Sequence, residues 1–171
     1  QARNANYSLS VTVEERVFLC EDDPDEPNGR FARATDLDRE DVEREGQWLC
    51  DRVPPEVDVF SFVVRGGRQR TVAASFLFGD DGDLYLEIYD EDEMLVGGTA
   101  EVPRANSKQC IVIEPFVGDR VMYARVVPLA INRVLQDDER LDYRLTVRDG
   151  DACEDIAPET PGVEWPRVPS P

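Results

Sequence analysis

The sequence predicts an all-β fold: an antiparallel β-sandwich or jelly roll of about eight to nine strands. Short runs rich in β-branched and aromatic residues alternate apolar and polar side chains, and turn-forming residues separate them. No long amphipathic helical pattern stands between these runs, so the strands must pair mainly with one another. An even number of well-separated cysteines adds the expectation of a disulfide-stabilised domain.

A period of two residues defines each predicted strand. In DLYLEIYD, for example, Leu84, Leu86 and Ile88 share one face, as in a strand that is buried on one side. Tyr143, Tyr123 and Phe116 are expected in the core. The predicted strands are VDVFSFVV (57–64), TVAASFLF (71–78), DLYLEIYD (83–90), QCIVIEPF (109–116), RVMYARVV (120–127) and DYRLTV (142–147).

Two segments break this pattern. Residues 29–48 are highly charged, and we interpret them as a loop with one helical turn, because Phe31, Ala34 and Leu37 have helical spacing and Gly46 would end the segment. Residues 157–171 contain five prolines. Proline has no amide hydrogen to donate, so this tail is not a central strand.

The chain of 171 residues is about one domain long, and its formal net charge is −18. This charge would repel phosphate, so nucleic acid is not an expected partner. No apolar stretch approaches the roughly 20 residues of a membrane span. A strong acidic excess favours divalent cations or basic partners, although a solvated acidic surface explains most such charges.

The cysteines are Cys20, Cys50, Cys110 and Cys153, and none belongs to a CxxC motif. Two disulfides in an oxidising compartment are the favoured interpretation, with free thiols in a reducing compartment as the alternative. Four cysteines allow three pairings, of which Cys20–Cys50 and Cys110–Cys153 are favoured.

Catalysis receives little support from the sequence. The chain has no histidine, which excludes the usual catalytic triads, and it has no glycine-rich phosphate-binding motif. A pair of carboxylates for glycoside hydrolysis could be drawn almost at will from the 37 acidic residues, so such a pair carries little information. We therefore expect a protein that is not an enzyme.

Calcium is the only cofactor that the sequence suggests. It binds six to eight oxygen atoms from carboxylates, amide side chains and carbonyl groups. The stretch EDDPDEPN (21–28) offers several such donors, and GDDGD (79–83) and DEDE (90–93) offer fewer. None fits the EF-hand loop, and acidic hairpin turns are common in acidic proteins.

The order of several short motifs resembles the bacterial pre-peptidase C-terminal domain family over residues 20–150. This resemblance implies an extracellular jelly-roll sandwich without catalytic activity, which accompanies secreted hydrolases and in some members binds collagen or polysaccharide. The motifs are Cys-x-x-Asp-x-x-Glu-Pro-Asn (20–28), Ala34-Thr35-x-Leu37, Gly46, Cys50, Asp58-x-Phe60-x-Phe62, Gly66-Gly67, Asp83-Leu84-x-Leu86-x-Ile88-Tyr89-Asp90, Tyr123-x-Arg125-Val126 and Tyr143-x-Leu145-x-Val147.

The resemblance also implies a set of calcium ligands. In collagen-binding members, calcium lies where the entering segment meets the sandwich, and Glu26, Asn28 and Asp58 match that pattern. The chain departs from the pattern at Pro24 and Pro55, each of which replaces an expected ligand.

The two ends of the chain repeat one motif. NYSLSVTV (6–13) precedes CEDDPDEP (20–27), and DYRLTVRD (142–149) precedes CEDIAPETP (153–161). In the family, the first motif closes a domain and the second opens the next one. We therefore divide the chain into an N-terminal strand (1–19), the sandwich domain (20–150) and a proline-rich tail (151–171).

The N-terminal strand allows three interpretations: a remnant of a tandem array, pairing within its own domain, or donation to a neighbouring copy. In the third, Tyr7, Leu9, Val11 and Val13 would fill the partner's groove, and head-to-tail donation would build a filament. A secreted, self-assembling structural module, a homo-oligomer or polymer, is therefore the favoured function. The alternative is a calcium-dependent collagen- or polysaccharide-binding domain of a secreted hydrolase.

Overall fold

A computed structural model of the chain describes residues 23–37, 41–50, 56–76, 83–99, 108–129 and 140–156. These residues form a β-sandwich with one 3-10 turn, Phe31–Arg33, and no α-helix, which confirms the all-β prediction. No helix in these ranges is long and apolar enough to cross a bilayer. The nine strands are β1 (Thr35–Asp36), β2 (Val42–Cys50), β3 (Asp58–Val64), β4 (Arg70–Phe76), β5 (Asp83–Tyr89), β6 (Leu95–Gly98), β7 (Lys108–Ile113), β8 (Arg120–Leu129) and β9 (Arg140–Asp149).

The strands form two sheets. One has the order β1-β3-β8-β5-β6 and the other the order β2-β9-β4-β7. All pairs are antiparallel except β1 with β3, which run parallel over two residues. The register aligns Phe60 and Ile88 with Ala124 of the central strand β8. Because successive side chains alternate between faces, this alignment places three apolar residues in one row towards the other sheet.

The core lies between the two sheets and contains the alternating apolar residues that the sequence pattern indicates. Tyr143 is fully buried within it, as expected, and Phe116 packs partly against its edge. In β4 every residue is buried, so this strand has neighbours on both faces. The buried apolar residues that form the central cluster include Phe60, Phe62, Val64, Val72, Ala74, Phe76, Leu84, Leu86, Ile88, Met122, Ala124, Val126, Leu145 and Val147.

The interpretation of residues 29–48 as a loop was wrong in its second half. The predicted helical turn is present at Phe31–Arg33, but Val42–Cys50 form a nine-residue strand that pairs with β9. Gly46 does not end this segment. It has φ 69° within a register shift between Arg44 and Gln47, so it forms a β-bulge. The bulge interrupts the period of two, which is why the pattern was not recognised.

Tyr123 was wrongly expected in the core. It lies on the outer face of the five-stranded sheet, opposite Tyr89 of β5. The Phe31 ring contacts both tyrosines edge to face, with centroid distances of 5.0 Å to Tyr89 and 5.3 Å to Tyr123. The helical turn therefore packs its one aromatic side chain onto this face, and all three rings are half-buried.

The favoured Cys110–Cys153 disulfide is present and joins β7 to the residues that follow β9. Lys108 strengthens the same attachment, because its ammonium group donates hydrogen bonds to the carbonyl oxygens of Cys153 (2.6 Å) and Ile156 (2.8 Å). Cys50 is also disulfide-bonded. Its predicted partner, Cys20, lies outside the described residues, so that pairing stays a prediction.

The turns 65–69 and 114–119 approach each other at one end of the sandwich. Gly66 donates its amide hydrogen to Asp119 Oδ1 (3.0 Å), and a Cβ atom at Gly66 would lie 2.7 Å from Gly118 Cα. Such a contact with backbone atoms can be relieved only by separating the two turns.

We therefore expect Gly66→Ala to lower the free energy of unfolding by about 1–3 kcal/mol. Urea denaturation monitored by tryptophan fluorescence would measure the loss. The control is Gly97→Ala, where the new Cβ would meet only side-chain atoms, the nearest at 3.7 Å. Equal stability of the two variants would contradict the close approach of the turns.

Candidate metal site

Residues 23–28 form a compact turn in which carboxylates bind nearby amide groups. Asp23 Oδ1 accepts a hydrogen bond from Asp25 N, and Glu26 Oε2 accepts one from Asn28 N, both at 2.8 Å. The Glu26 amide in turn donates to the Asp23 carbonyl oxygen at 3.2 Å. Side chains that bind the backbone two residues ahead are typical of Asp-rich turns, and here they hold the acidic groups close together.

This turn is attached to the start of β3. The carbonyl oxygen of Asn28 accepts hydrogen bonds from Arg30 N (2.8 Å) and Val59 N (3.2 Å). Val59 follows Asp58, so the attachment brings the turn beside that aspartate. At Gly29 a Cβ atom would lie 3.1 Å from the Val57 carbonyl oxygen, which leaves little room for a larger residue.

Asp58 links the two sheets beneath the turn. It is fully buried, and the Tyr143 hydroxyl group on β9 donates a hydrogen bond to Asp58 Oδ2. Burial raises the pKa of Asp58 to about 9, and the negative charges of Asp23, Glu26 and Glu56 add to the rise, while the Tyr143 hydrogen bond opposes it. Burial also raises the pKa of Tyr143 well above its usual value, so this group stays a hydrogen-bond donor.

Asp23 belongs to the same acidic group. Burial raises the pKa of Asp23 to about 6, partly offset by hydrogen bonds from the amides of Asp25 and Trp48. Gln47 lies just after the β2 bulge, and its side-chain amide contacts this aspartate. In the orientation that satisfies the amide group, its nitrogen donates hydrogen bonds to Asp23 Oδ2 and Asp25 Oδ2, each at 3.2 Å. The bulge thus supplies a donor that joins the turn to the second sheet.

Three buried polar atoms at this site have no hydrogen-bond partner among the described residues. They are both terminal atoms of the Asn28 side chain, Oδ1 and Nδ2, and Asp58 Oδ1. Both residues are fully buried. A buried polar group without a partner costs about 1–3 kcal/mol, so these atoms indicate that something else can satisfy them.

The predicted ligands Glu26, Asn28 and Asp58 are therefore brought into one neighbourhood, through the Glu26–Asn28 hydrogen bond and the attachment of Asn28 to β3. In the described ranges, no three Asp, Glu or Cys side chains form a ready-made metal cage. The donor chemistry nevertheless fits calcium, because the unsatisfied Oδ1 atoms of Asn28 and Asp58 are hard oxygen donors beside a concentration of negative charge.

Two participants were not predicted from the sequence: Gln47, the hydrogen-bond donor to Asp23 and Asp25, and Tyr143, the partner of Asp58. Asp23 itself lies in the predicted oxygen-rich stretch EDDPDEPN (21–28). Gln47 was hidden in the segment that was interpreted as a loop. Its two-residue spacing from the buried Leu49 was the available signal. Tyr143 was assigned to the core, and its hydroxyl group needed a partner there.

The other predicted sites have different outcomes. In DEDE (90–93), Asp90 Oδ1 accepts hydrogen bonds from the amides of Asp92 and Met94, which closes a turn. Glu91 forms an ion pair with Arg120 at 2.6 Å. Nearly all of GDDGD (79–83) falls outside the described residues, and so do the predicted donated residues Tyr7, Leu9, Val11 and Val13.

The fold and this cluster define a β-sandwich domain with a buried acidic junction. No family model and no curated protein matches the chain. Among solved structures, the chain is similar to the pre-peptidase C-terminal domain of a collagenase from Bacillus anthracis, with 14% identity and a TM-score of 0.47 over 67% of this chain and 94% of that one. It is also similar to PliG, a periplasmic inhibitor of g-type lysozyme from Aeromonas hydrophila, with 7% identity and a TM-score of 0.39 over 68% and 97% of the two chains. At sequence identities and TM-scores this low, the similarities concern the fold of the backbone alone.

The raised pKa of Asp58 makes stability depend on pH when no metal ion is bound. The folded protein keeps the Asp58 proton up to about pH 9, whereas the unfolded chain releases it near 3.8. This group therefore favours folding below about pH 4, and its contribution is lost as the pH rises towards 9. In a chelating buffer, we expect Asp58→Asn to melt at a higher temperature than the wild type at pH 8, with a difference that shrinks towards pH 4.

Differential scanning calorimetry across this pH range would measure the effect. Asp151→Asn, which changes an exposed aspartate outside the cluster, is the matched control. A constant difference between wild type and Asp58→Asn at every pH would mean that Asp58 is not held protonated in the folded state.

Proposed function

We propose that the chain is a non-catalytic extracellular module in which a calcium ion orders the junction between residues 23–28 and the β-sandwich. The observation that carries this proposal is the pair of fully buried side chains, Asn28 and Asp58, whose Oδ1 atoms lack partners among the described residues. A cation at this junction satisfies both atoms and offsets the negative charge that surrounds them.

Glu26, Asn28 and Asp58 are the residues that would hold the ion. Glu26 already uses Oε2 to accept the Asn28 amide, and Asp58 already uses Oδ2 to accept the Tyr143 hydroxyl group. These bonds orient both carboxylates while the Oδ1 atoms of Asn28 and Asp58 stay available. The bound ion would supply positive charge, and the role of these residues is to position it between the turn and β3.

The disulfide and the absence of histidine support the remaining parts of this function. The Cys110–Cys153 disulfide is stable in oxidising compartments, which favours a secreted or cell-surface protein. A chain without histidine lacks the most common general base, and the buried Asp58 is bound to Tyr143 rather than presented to a substrate. In this proposal the module accompanies a secreted hydrolase and binds collagen or a polysaccharide.

Self-assembly is the second candidate function, and one observation favours it. Strand β6 is an edge of the five-stranded sheet, and its apolar side chains are exposed. Such an edge is a template for another strand.

The calcium proposal predicts a calcium-dependent rise in melting temperature. At a calcium concentration of about 100 times Kd, the folded state gains about 2.7 kcal/mol, which corresponds to a rise of roughly 5–10 °C for a chain of this size. Asp58→Asn and Asn28→Ala should each lose most of this rise at pH 8, whereas Glu154→Gln, a change at an exposed position, should keep it. Calorimetry with calcium, with magnesium and with a chelator would measure it.

The Asp58→Asn variant makes this test specific, because it is expected to be more stable than the wild type without calcium and yet unable to respond to calcium. A response that Asp58→Asn retains in full would contradict the assignment of the site. Sedimentation of the protein with insoluble collagen or cellulose, with and without calcium, would test the ligand classes. Equal recovery in the pellet without either matrix would contradict ligand binding.

A further inference from the structure

Strand β6, Leu95–Gly98, pairs with β5 on one side only, and none of the described residues pairs with its other side. Three consecutive apolar residues are exposed at its start: Met94, just before the strand, by 64%, Leu95 by 58% and Val96 by 52%. Natural edge strands are protected by short length, bulges, prolines or charges. Strand β6 is four residues long, and its pairing with β5 is irregular between Ile88 and Tyr89, but MLVGG (94–98) carries no charge and no proline.

An acidic turn precedes this edge. The Asp90 amide donates to the Met94 carbonyl oxygen at 3.0 Å, which closes residues 90–94 into a turn next to β6. Glu91 is neutralised by Arg120. Asp92 and Glu93 are exposed, and neither forms an ion pair with a described residue. The edge therefore combines apolar side chains with unbalanced negative charge at its N-terminal end.

These features define the chemistry of a partner. It needs an extended backbone to complete the ladder, apolar side chains at alternate positions and a positive charge near the acidic turn. A second β6 edge is a poor partner, because antiparallel pairing sets each acidic turn beside the C-terminal end of the other copy's β6, where MLVGGT (94–99) offers no basic residue. The partner must be basic, or at least free of acidic residues.

We propose that β6 is the acceptor edge for residues 3–13 of a neighbouring copy of this chain, an inference that rests on the self-assembling function. This segment, RNANYSLSVTV, contains no acidic residue although the chain has 37, and Tyr7, Leu9, Val11 and Val13 alternate along it. Its one basic residue, Arg3, precedes the apolar run, as the acidic turn precedes β6. Parallel alignment therefore places Arg3 beside Asp92 and Glu93.

Assembly of this kind is head to tail, because the donor segment and the acceptor edge are different parts of each copy. Such a contact leaves one donor and one acceptor free at the ends and continues into a fibre unless the rotation closes a ring. Pairing adds a strand to the five-stranded sheet. Leu95 and Val96 lie on opposite faces of it, so the apolar face of the donor packs beside one of these two exposed side chains.

Sedimentation velocity of the intact chain over a wide concentration range would test the proposal, with electron micrographs of any large species. The wild type is expected to form species many times the monomer mass, and Val96→Lys is expected to remain monomeric. Val117→Lys is the matched control, because it introduces the same charge at a fully exposed valine in the turn 114–119. A monomeric wild type, or polymers of Val96→Lys, would overturn the proposal.

Complementation of two variants identifies the donor. Leu9→Asp disables the donor segment and leaves the edge intact, while Val96→Lys disables the edge and leaves the donor intact. Neither should polymerise alone, and an equimolar mixture should form a species of twice the monomer mass and stop there. A dimer that persists in Leu9→Asp but disappears in Val96→Lys would mean that β6 pairs with itself, which overturns the proposal.

A synthetic peptide of residues 1–13 keeps the test decisive if Leu9→Asp does not fold. The peptide should dissociate wild-type polymers, and it should bind the Val117→Lys control at least ten times more tightly than Val96→Lys. Replacement of Arg3 by Glu in the peptide should weaken binding, most strongly at low salt. A peptide that does not compete would overturn the proposal. All measurements are made with calcium and with a chelator, so that failure of the calcium site is distinguished from failure of assembly.

Discussion

The hydrogen bond between Tyr143 and Asp58 joins the two sheets at the point where the acidic turn enters, and the arrangement of the site depends on it. It holds a carboxylate in the core, where burial raises the pKa of Asp58 to about 9. It occupies Asp58 Oδ2, while Oδ1 is buried without a hydrogen-bond partner among the described residues. Burial of a carboxylate is costly, and the proposed calcium ion would offset that cost.

The all-β fold was predictable because strands buried on one face show a period of two in the sequence. DLYLEIYD shows it clearly, and β5 lies where the pattern placed it. Strand β2 was missed because its bulge at Gly46 shifts the alternation by one residue, and because its first half is exposed and highly charged. A bulge is a local change of phase, and a pattern of fixed period cannot represent it.

The site was predictable only in part. Glu26 and Asn28 are close in sequence, so a short motif could identify them, and the resemblance added Asp58. Gln47 and Tyr143 join the site from β2 and β9, and only the pairing of these two strands brings them together. Contacts of that kind depend on sheet order, which the sequence does not reveal. The partnerless oxygens were likewise invisible until burial was known.

Both proposed ligands follow from the same constraint, a chain with a net charge of −18. Two clusters of its acidic residues are more than a solvated surface. The cluster around Asp58 is buried, and the turn before β6 adjoins an exposed apolar edge. Buried carboxylates without cations are neutralised by protons, so the Asp58 cluster is suited to a small ion that can enter a compact space. The exposed turn can be neutralised by a large cation such as an arginine side chain. An extended strand can complete a sheet edge, so the proposed partner, residues 3–13 of another copy, would cover the apolar edge and bring Arg3 to the acidic turn.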